Sequence, residues 1–135
     1  MICSAIILAA GSSTRMNGAN KQFLELGGIP VLMRSALNFE HCPEIGEIII
    51  AAKADDVREI VSLCTKYGIS KLKTVCEGGA DRAESAKIAF GFVSEADYVA
   101  VHDGARPFVE PTLISEVISA AEETGAAIAA IPVTD

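Results

Sequence analysis

Three short segments hold the residues whose types and spacing could do chemistry. The first, at 8–16, is a run of small residues that ends near Arg15. Small side chains let backbone N–H groups approach phosphate oxygens, and an arginine adds a planar cationic fork. The segment contains neither the Gly-Lys-Ser/Thr of a P-loop nor the G-x-G-x-x-G of a dinucleotide site. Taken alone, it fits phosphate binding and a plain strand-to-helix connection alike.

A lysine follows this segment, close enough in sequence to Arg15 for both to reach one anion. Lys21 stands in Asn-Lys-Gln-Phe, ahead of a Gly-Gly turn at 27–28 and a helix that Pro30 opens. A lysine here can act as a point charge on a triphosphate, although a solvated surface lysine is the commoner case. Its spacing from Arg15 favours the first interpretation, because one loop would then bring two cations to one anion.

The second segment, at 77–85, runs into a predicted helix. Its paired glycines permit close backbone approach to a planar ligand, and Ser85 in the first turn would point a hydroxyl toward the same mouth. A purely structural interpretation explains the same residues, with a turn at Gly78 and Gly79 and a helix cap at Asp81. Both interpretations stay open at this point.

The third segment is His-Asp-Gly-Ala-Arg-Pro at 102–107. Asp103 would offer a hard oxygen ligand to a Mg²⁺ ion that bridges phosphate oxygens. Asp-Gly is also a common hairpin turn, but a helix predicted from Pro111 favours a crossover connection. We expect His102 to be packed and hydrogen-bonded rather than a metal ligand. Arg106, held extended by the following proline, suits a carboxylate pair or a substrate contact.

Five short β-branched segments predict the strands that position these loops. They lie at 4–8, 47–52, 72–76, 98–102 and 127–131. Each is apolar throughout instead of alternating with polar residues, so both faces of the sheet should be covered.

Helices are predicted between the strands from apolar residues at i, i+3, i+4 and i+7. The residues of these stripes are Val57, Ile60, Val61 and Cys64; Ala86, Ala89, Phe90 and Val93; and Leu113, Ile114, Val117, Ile118 and Ala121. Gly68 and Gly125 should end the helices that they follow. The order predicts a doubly wound, mostly parallel, Rossmann-like α/β sheet, with ligands beyond the carboxyl ends of its strands.

Composition limits the class of protein. The chain has 135 residues, half of them apolar, which predicts one domain over 1–135. A formal charge of −7 argues against a nucleic-acid partner. No apolar run is long enough for a bilayer and no secretory signal is visible, so we expect a cytoplasmic protein with no membrane partner. The four cysteines, without a CxxC pair, should be reduced and buried.

Together the motifs resemble the 2-C-methyl-D-erythritol 4-phosphate cytidylyltransferase family, of the nucleotide-diphospho-sugar transferase type. The matching segments, in order and spacing, are 8–16, Lys-Gln-Phe-Leu at 21–24, Gly-Ile-Pro-Val-Leu at 28–32, Gly-Gly-Ala-Asp-Arg at 78–82 and 102–107. The first motif marks only the broad nucleotidyltransferase superfamily. Lys-Gln-Phe and His-Asp-x-Ala-Arg-Pro are specific to this family and to the related ribitol-5-phosphate cytidylyltransferases.

The resemblance implies a binding site for CTP. The residues lying against the nucleotide would be Ala9, Ala10 and Gly11. Those that help to recognise the cytosine end would be Gly79 and Ser85.

The same resemblance implies the catalytic groups. Arg15 and Lys21 would stabilise the transition state, and Asp103 would ligate Mg²⁺. Two positions depart from the commonest family pattern: Ser13, where glycine is frequent, and Gly104, where alanine is usual. Both replacements are small, so neither weakens the assignment.

The end of the chain departs from the family more strongly. In the family, the Pro-Val-x-Asp element at 132–135 continues into an arm that makes the homodimer and helps to bind the acceptor phosphate. We therefore expect a domain truncated at its C-terminus and a homodimer in the full-length enzyme. The predicted reaction moves CMP from CTP to 2-C-methyl-D-erythritol 4-phosphate. The alternatives are ribitol 5-phosphate as acceptor, or a nucleotide-binding fragment without catalysis.

Overall fold

The computed structural model describes residues 3–10, 21–94, 96–104 and 111–125. Within these ranges the strands are β1 (Cys3–Ala9), β2 (Glu25–Leu26), β3 (Ile29–Pro30), β4 (Ile45–Ala52), β5 (Leu72–Glu77) and β6 (Tyr98–Asp103). The helices are α1 (Val31–Glu40), α2 (Val57–Tyr67), α3 (Arg82–Phe90) and α4 (Pro111–Thr124). Short 3₁₀ turns occupy Lys21–Phe23 and Ala54–Asp56.

Four parallel strands form the main sheet in the order β5-β4-β1-β6. β2 and β3 make a separate antiparallel hairpin. The predicted doubly wound, parallel α/β architecture is therefore confirmed, as are four of the five predicted strands. The fifth, at 127–131, lies outside the described residues.

Helices cover both faces of this sheet. Along β1, Ala5 and Ile7 belong to one buried cluster, which also contains residues of α1, α2 and α4. Ile6 and Leu8 belong to a second cluster, together with Ala89 of α3. Alternate residues of one apolar strand thus face opposite layers, which explains why the strand lacks a polar face.

The predicted helix ends are largely confirmed. Gly68 follows α2 with φ +73°, and Gly125 follows α4 with φ +87°, a conformation that glycine adopts without strain. The stripe predicted on α3 is wrong at its end. The helix stops at Phe90, whose side chain is 60% exposed, so Val93 reaches the second cluster from the turn that follows.

The four cysteines are buried free thiols, as predicted. Burial raises the pKa of Cys3, which the neighbouring Cys42 raises further, to about 11. Burial likewise raises the pKa of Cys64 to about 11. Among the described helices, none has the length and apolar character needed to cross a bilayer.

Candidate active site

The site lies where the order of the sheet reverses. From β1 the chain builds outward on one side through β4 and β5, and then returns to place β6 on the other side of β1. A crevice forms beyond the carboxyl ends of strands at such a reversal. Leu8 of β1 lies opposite Asp103 of β6, so the first and third predicted loops leave the sheet side by side. We call this end of the sheet the carboxyl edge.

Small residues line the start of the first loop. Ala9 and Ala10 are buried, and neither carries a side chain that would fill the crevice. Both residues lie at the carboxyl edge, and their predicted contact with the nucleotide stays a prediction. Gly11 and Arg15 lie outside the described residues, and their predicted roles stay predictions.

The second loop packs directly on the first. A Cβ atom added to Gly78 would stand 2.4 Å from the Cβ of Ala10 and 2.8 Å from the Oγ of Ser85. Only glycine permits this approach. The N–H of Gly78 also donates to the carbonyl of Ala52 at 2.8 Å, which ties the loop to β4. Two loops far apart in sequence are thus held together at the carboxyl edge.

Ser85 holds the backbone of the next glycine, Gly79. Its hydroxyl is buried in the first turns of α3 and accepts the N–H of Gly79 at 3.0 Å. Asp81 caps the same helix, because its carboxylate accepts the N–H of Glu84 at 2.8 Å. The structural interpretation of Asp81 is therefore confirmed, and it is compatible with a ligand at Gly79.

The third loop begins beside β1. The N–H of Gly104 donates to the carbonyl of Leu8 at 2.9 Å, so parallel pairing continues past Asp103. Ser35 of α1 donates its hydroxyl to the carbonyl of Gly104 at 3.0 Å. A Cβ at position 104 would lie 2.8 Å from Cδ1 of Leu32, so here Leu32 occupies the space that an alanine would need.

An ion pair joins the second loop to the third. Nη1 of Arg82, the first residue of α3, lies 4.0 Å from Oδ2 of Asp103. The side chains of Arg82 and Asp103 are 60% and 39% exposed. Sequence reasoning assigned Arg82 no role, although the topology already placed its loop and that of Asp103 at one edge. What the sequence could not indicate is the direction in which so long a side chain extends.

Lys21 begins the 3₁₀ turn that follows the first loop. The next residue, Gln22, is buried, and the N–H of Leu24 donates to the carbonyl of Lys21 at 3.3 Å. Behind this turn, Nε of Arg34 donates to the carbonyl of Leu26 at 2.6 Å and holds the β2–β3 hairpin on α1. The backbone at Lys21 is therefore well anchored.

The chemistry of the described residues suits a shared metal ion better than a protein-enclosed one. Among them, no three His, Cys, Asp or Glu side chains gather as a metal site. Asp103 offers a partly exposed carboxylate, and Mg²⁺ is commonly held by one or two carboxylates together with substrate phosphates. The ring of His102 packs on Phe39, with centroids 5.3 Å apart, which confirms its predicted structural role. Arg106 lies outside the described part of the chain.

Solved structures with this fold include nucleotide-handling enzymes. The 4-diphosphocytidyl-2C-methyl-D-erythritol synthase of Anaerococcus prevotii superposes with a TM-score of 0.77 at 30% identity, covering 90% of this chain and 51% of that one. The bifunctional IspDF of Campylobacter jejuni gives a TM-score of 0.75 at 30% identity, covering 91% and 31%. A CMP:2-keto-3-deoxy-manno-octonic acid synthetase complexed with CTP, at 15% identity and TM-score 0.70, covers 93% and 49% and shares the fold alone.

Sequence relatives agree with these structures. A 2-C-methyl-D-erythritol 4-phosphate cytidylyltransferase from Bacillus cytotoxicus is 42% identical over 96% of this chain, and one from Dehalococcoides mccartyi (strain ATCC BAA-2266 / KCTC 15142 / 195) is 37% identical over 97%. The chain spans 58% of the length of each relative. The family model described as IspD, 2-C-methyl-D-erythritol 4-phosphate cytidylyltransferase, matches residues 3–135. The chain belongs to the 2-C-methyl-D-erythritol 4-phosphate cytidylyltransferase family.

Proposed function

We propose that the protein transfers CMP from CTP to 2-C-methyl-D-erythritol 4-phosphate and releases pyrophosphate. The observation that carries this proposal is the meeting of the predicted loops at one edge of the sheet. Ala10 contacts Gly78, and Asp103 pairs with Arg82, at the edge of the sheet where the strand order reverses. The names of the family's members supply the substrates, and this edge supplies residues of suitable chemistry.

The reaction proposed is an in-line displacement at the α-phosphorus of CTP. A phosphate oxygen of the acceptor attacks the α-phosphorus, the bond from this phosphorus to the bridging oxygen breaks, and pyrophosphate leaves with the electron pair. The nucleophile is already an anion, so no side chain needs to remove a proton. Alignment and charge stabilisation then supply the catalysis.

Charge on the α-phosphate would be countered by Arg15 and Lys21. The backbone of Ala9, Ala10 and Gly11 would lie against the nucleotide, since small side chains let backbone N–H groups approach phosphate oxygens. When bound, Mg²⁺ neutralises phosphate charge and orients the leaving group. Asp103 is the described residue that would hold it.

Cytosine recognition is proposed for the second loop. Ser85 accepts the N–H of Gly79, which fixes the orientation of that peptide and leaves the neighbouring backbone to face a planar ligand. A Cβ added to Gly79 would stand 2.4 Å from Cγ of Glu84, so this proposal requires the Glu84 side chain to turn away when the base binds. A purine is larger than a pyrimidine, so a loop packed this closely on Ala10 should favour cytosine.

Partners and setting are part of the same proposal. The acceptor site is assigned to a homodimer of the full-length enzyme, and nucleic acid is not a proposed partner, because the formal charge is −7. We place the reaction in the cytoplasm, where reduced thiols such as the four described here persist.

Pyrophosphate release tests the function. The protein is incubated with CTP and Mg²⁺, and with 2-C-methyl-D-erythritol 4-phosphate or ribitol 5-phosphate in parallel. Release that requires the methylerythritol compound supports the proposal. Release with ribitol 5-phosphate alone would transfer the assignment to that acceptor, and CTP binding without turnover would make this chain a nucleotide-binding unit only.

A further inference from the structure

The pair between Arg82 and Asp103 lies at the carboxyl edge, where the nucleotide site is proposed. Arg82 comes from the second loop, whose Gly78 packs on Ala10 of the first, and Asp103 ends the strand beside β1. A phosphate that shares a metal ion with Asp103 would stand within a few ångströms of this carboxylate. The guanidinium is already at 4.0 Å from it.

Arg82 contributes little to the helix that it begins. A helix N-terminus carries partial positive charge, so a cation in the first turn is unfavourable, whereas Asp81 and Glu84 suit this position. The ion pair does not compensate strongly, because a long pair between exposed side chains is weak. Helix stability therefore does not account for an arginine here.

We infer that Arg82 binds a phosphate group of CTP, and that Asp103 holds its guanidinium over the site until the nucleotide arrives. The inference rests on the proposed function. On binding, Asp103 turns to the metal ion and Arg82 exchanges its carboxylate partner for a phosphate. The exchange requires little energy, since the pair being broken is weak, and a guanidinium bonds phosphate in a planar, two-pronged way.

Calorimetry with two ligands tests this inference. CTP with Mg²⁺, and cytidine, which has the same base and ribose but no phosphate, are each titrated into the wild-type protein and five variants. The variants are Arg82→Gln, Arg82→Lys, Asp103→Asn alone, Asp103→Asn with Arg82→Gln, and Lys87→Gln. The last is the matched control, because it removes an exposed cation from the other end of the same helix.

We expect Arg82→Gln to weaken CTP binding on the order of 10-fold or more, as for a lost charge-assisted bond, and to leave cytidine binding unchanged. Arg82→Lys should recover part of the loss. Lys87→Gln should bind both ligands as the wild type does. The urea midpoint of Arg82→Gln should match that of the wild type, because the arginine does not stabilise its helix.

Several results would overturn the inference. Unchanged CTP affinity in Arg82→Gln, or an equal loss for CTP and cytidine, would mean that no phosphate contact exists. The loss must also persist when Asp103 is already asparagine; if it disappears, Arg82 acts only by orienting Asp103. If the wild-type protein binds no CTP, the proposed function itself fails. If it binds CTP and Arg82→Gln binds CTP equally well, only the inference about Arg82 fails.

Discussion

The two ends of the sheet are built in different ways. At the carboxyl edge, Gly78 packs on the small side chains of Ala10 and Ser85, and the ion pair between Arg82 and Asp103 is long and exposed. At the opposite end, which we call the amino edge, carboxylates accept several short hydrogen bonds each. Glu47, for example, accepts from the hydroxyl of Ser4 at 2.6 Å and from the N–H of Ser94 at 2.8 Å.

Lys73 completes the network around Glu47. Nζ of Lys73 lies 3.9 Å from the Glu47 carboxylate and donates to the carbonyl of Phe92 at 2.6 Å and to the hydroxyl of Ser94 at 2.7 Å. The connection from α3 to β6 is thereby fastened to the starts of β1, β4 and β5. Burial by itself would raise the pKa of Glu47, but the hydrogen bonds from Ser4 and Ser94 outweigh it, and the pKa is lowered.

Two further carboxylates fasten this edge. Glu40, at the end of α1, accepts the hydroxyl of Ser70 and the N–H of Lys71; burial opposes the effect, yet the net pKa is lowered. Glu44 accepts the hydroxyl of Ser115 from α4 at 2.5 Å, and this bond, followed by one from Cys42, lowers its pKa. Each joins segments that are distant in sequence.

The difference between the two edges suggests that the amino edge stabilises the fold and that the carboxyl edge is the part available to a ligand. Side chains that are satisfied by several protein partners resist rearrangement, so the amino edge holds the layers in register. A weak, exposed pair such as that of Arg82 with Asp103 can be replaced by a ligand at low cost. Variants at the amino edge should therefore change unfolding, and variants at the carboxyl edge should change nucleotide chemistry.

The largest expected effect comes from Lys21. We expect Lys21→Ala to lower turnover on the order of 10²- to 10³-fold, as for loss of one group that stabilises charge in the transition state, with the urea midpoint unchanged. Steady-state kinetics and denaturation measure the two quantities. Lys66→Ala, in the last turn of α2 at the amino edge, is the control and should keep full turnover. Near-normal turnover of Lys21→Ala would remove this lysine from the mechanism.

A substitution at Gly78 should change both the free energy of unfolding and the affinity for CTP. An added methyl would stand 2.4 Å from the Cβ of Ala10, which cannot move without the backbone, so Gly78→Ala should lower the free energy of unfolding by about 1 to 3 kcal/mol and weaken CTP binding. Gly91→Ala is the comparison, since φ is −63° and the nearest atom is at 3.2 Å. An equal or smaller loss at Gly78 would contradict the close packing of the two loops.

The smallest expected effect is at Glu47. Glu47→Gln should lower the free energy of unfolding by about 1 to 2 kcal/mol at pH 7, through weakened hydrogen bonds, and leave CTP affinity unchanged. Urea denaturation and calorimetry measure these. Glu59→Gln, exposed on α2, should change neither. A loss of CTP affinity in Glu47→Gln would break the division between the two edges.

The Glu47 carboxylate should make the free energy of unfolding depend on pH. Because the folded pKa lies below the ordinary value of 4.5, the stabilisation is present above about pH 4.5 and is lost as the pH falls through the lowered folded value. The decrease in unfolding free energy between pH 7 and pH 4 should therefore be smaller in Glu47→Gln than in the wild type. An equal decrease would show that Glu47 does not contribute to it.

Regular patterns allowed much of the fold to be predicted. Four apolar segments gave strands because a strand buried on both faces has no polar alternation to obscure it. Gly68 and Gly125 were predictable helix ends, since a left-handed residue is needed there and glycine supplies it. The end of α3 could not be predicted, because Phe90 continues the apolar spacing of the helix whether its side chain is exposed or buried.

The site was predictable in its loops more than in its contacts. Parallel strands bring their carboxyl ends to one edge, so Asp103, Ser85, Ala9 and Ala10 could be expected there. The contact of Gly78 with Ala10 depends on how α3 crosses the sheet, and the reach of Arg82 depends on a flexible side chain. Neither contact can be predicted from the types and spacing of residues in the sequence.

Nucleotide titration tests the central claim, that the carboxyl edge is a CTP site, most directly. CTP with Mg²⁺ is titrated calorimetrically into the protein, with ATP and an Asp103→Ala variant as controls. We predict metal-dependent binding that prefers CTP to ATP and is weakened in Asp103→Ala. A folded protein that binds neither nucleotide, or that binds CTP equally well without Asp103, would contradict the assignment of this edge.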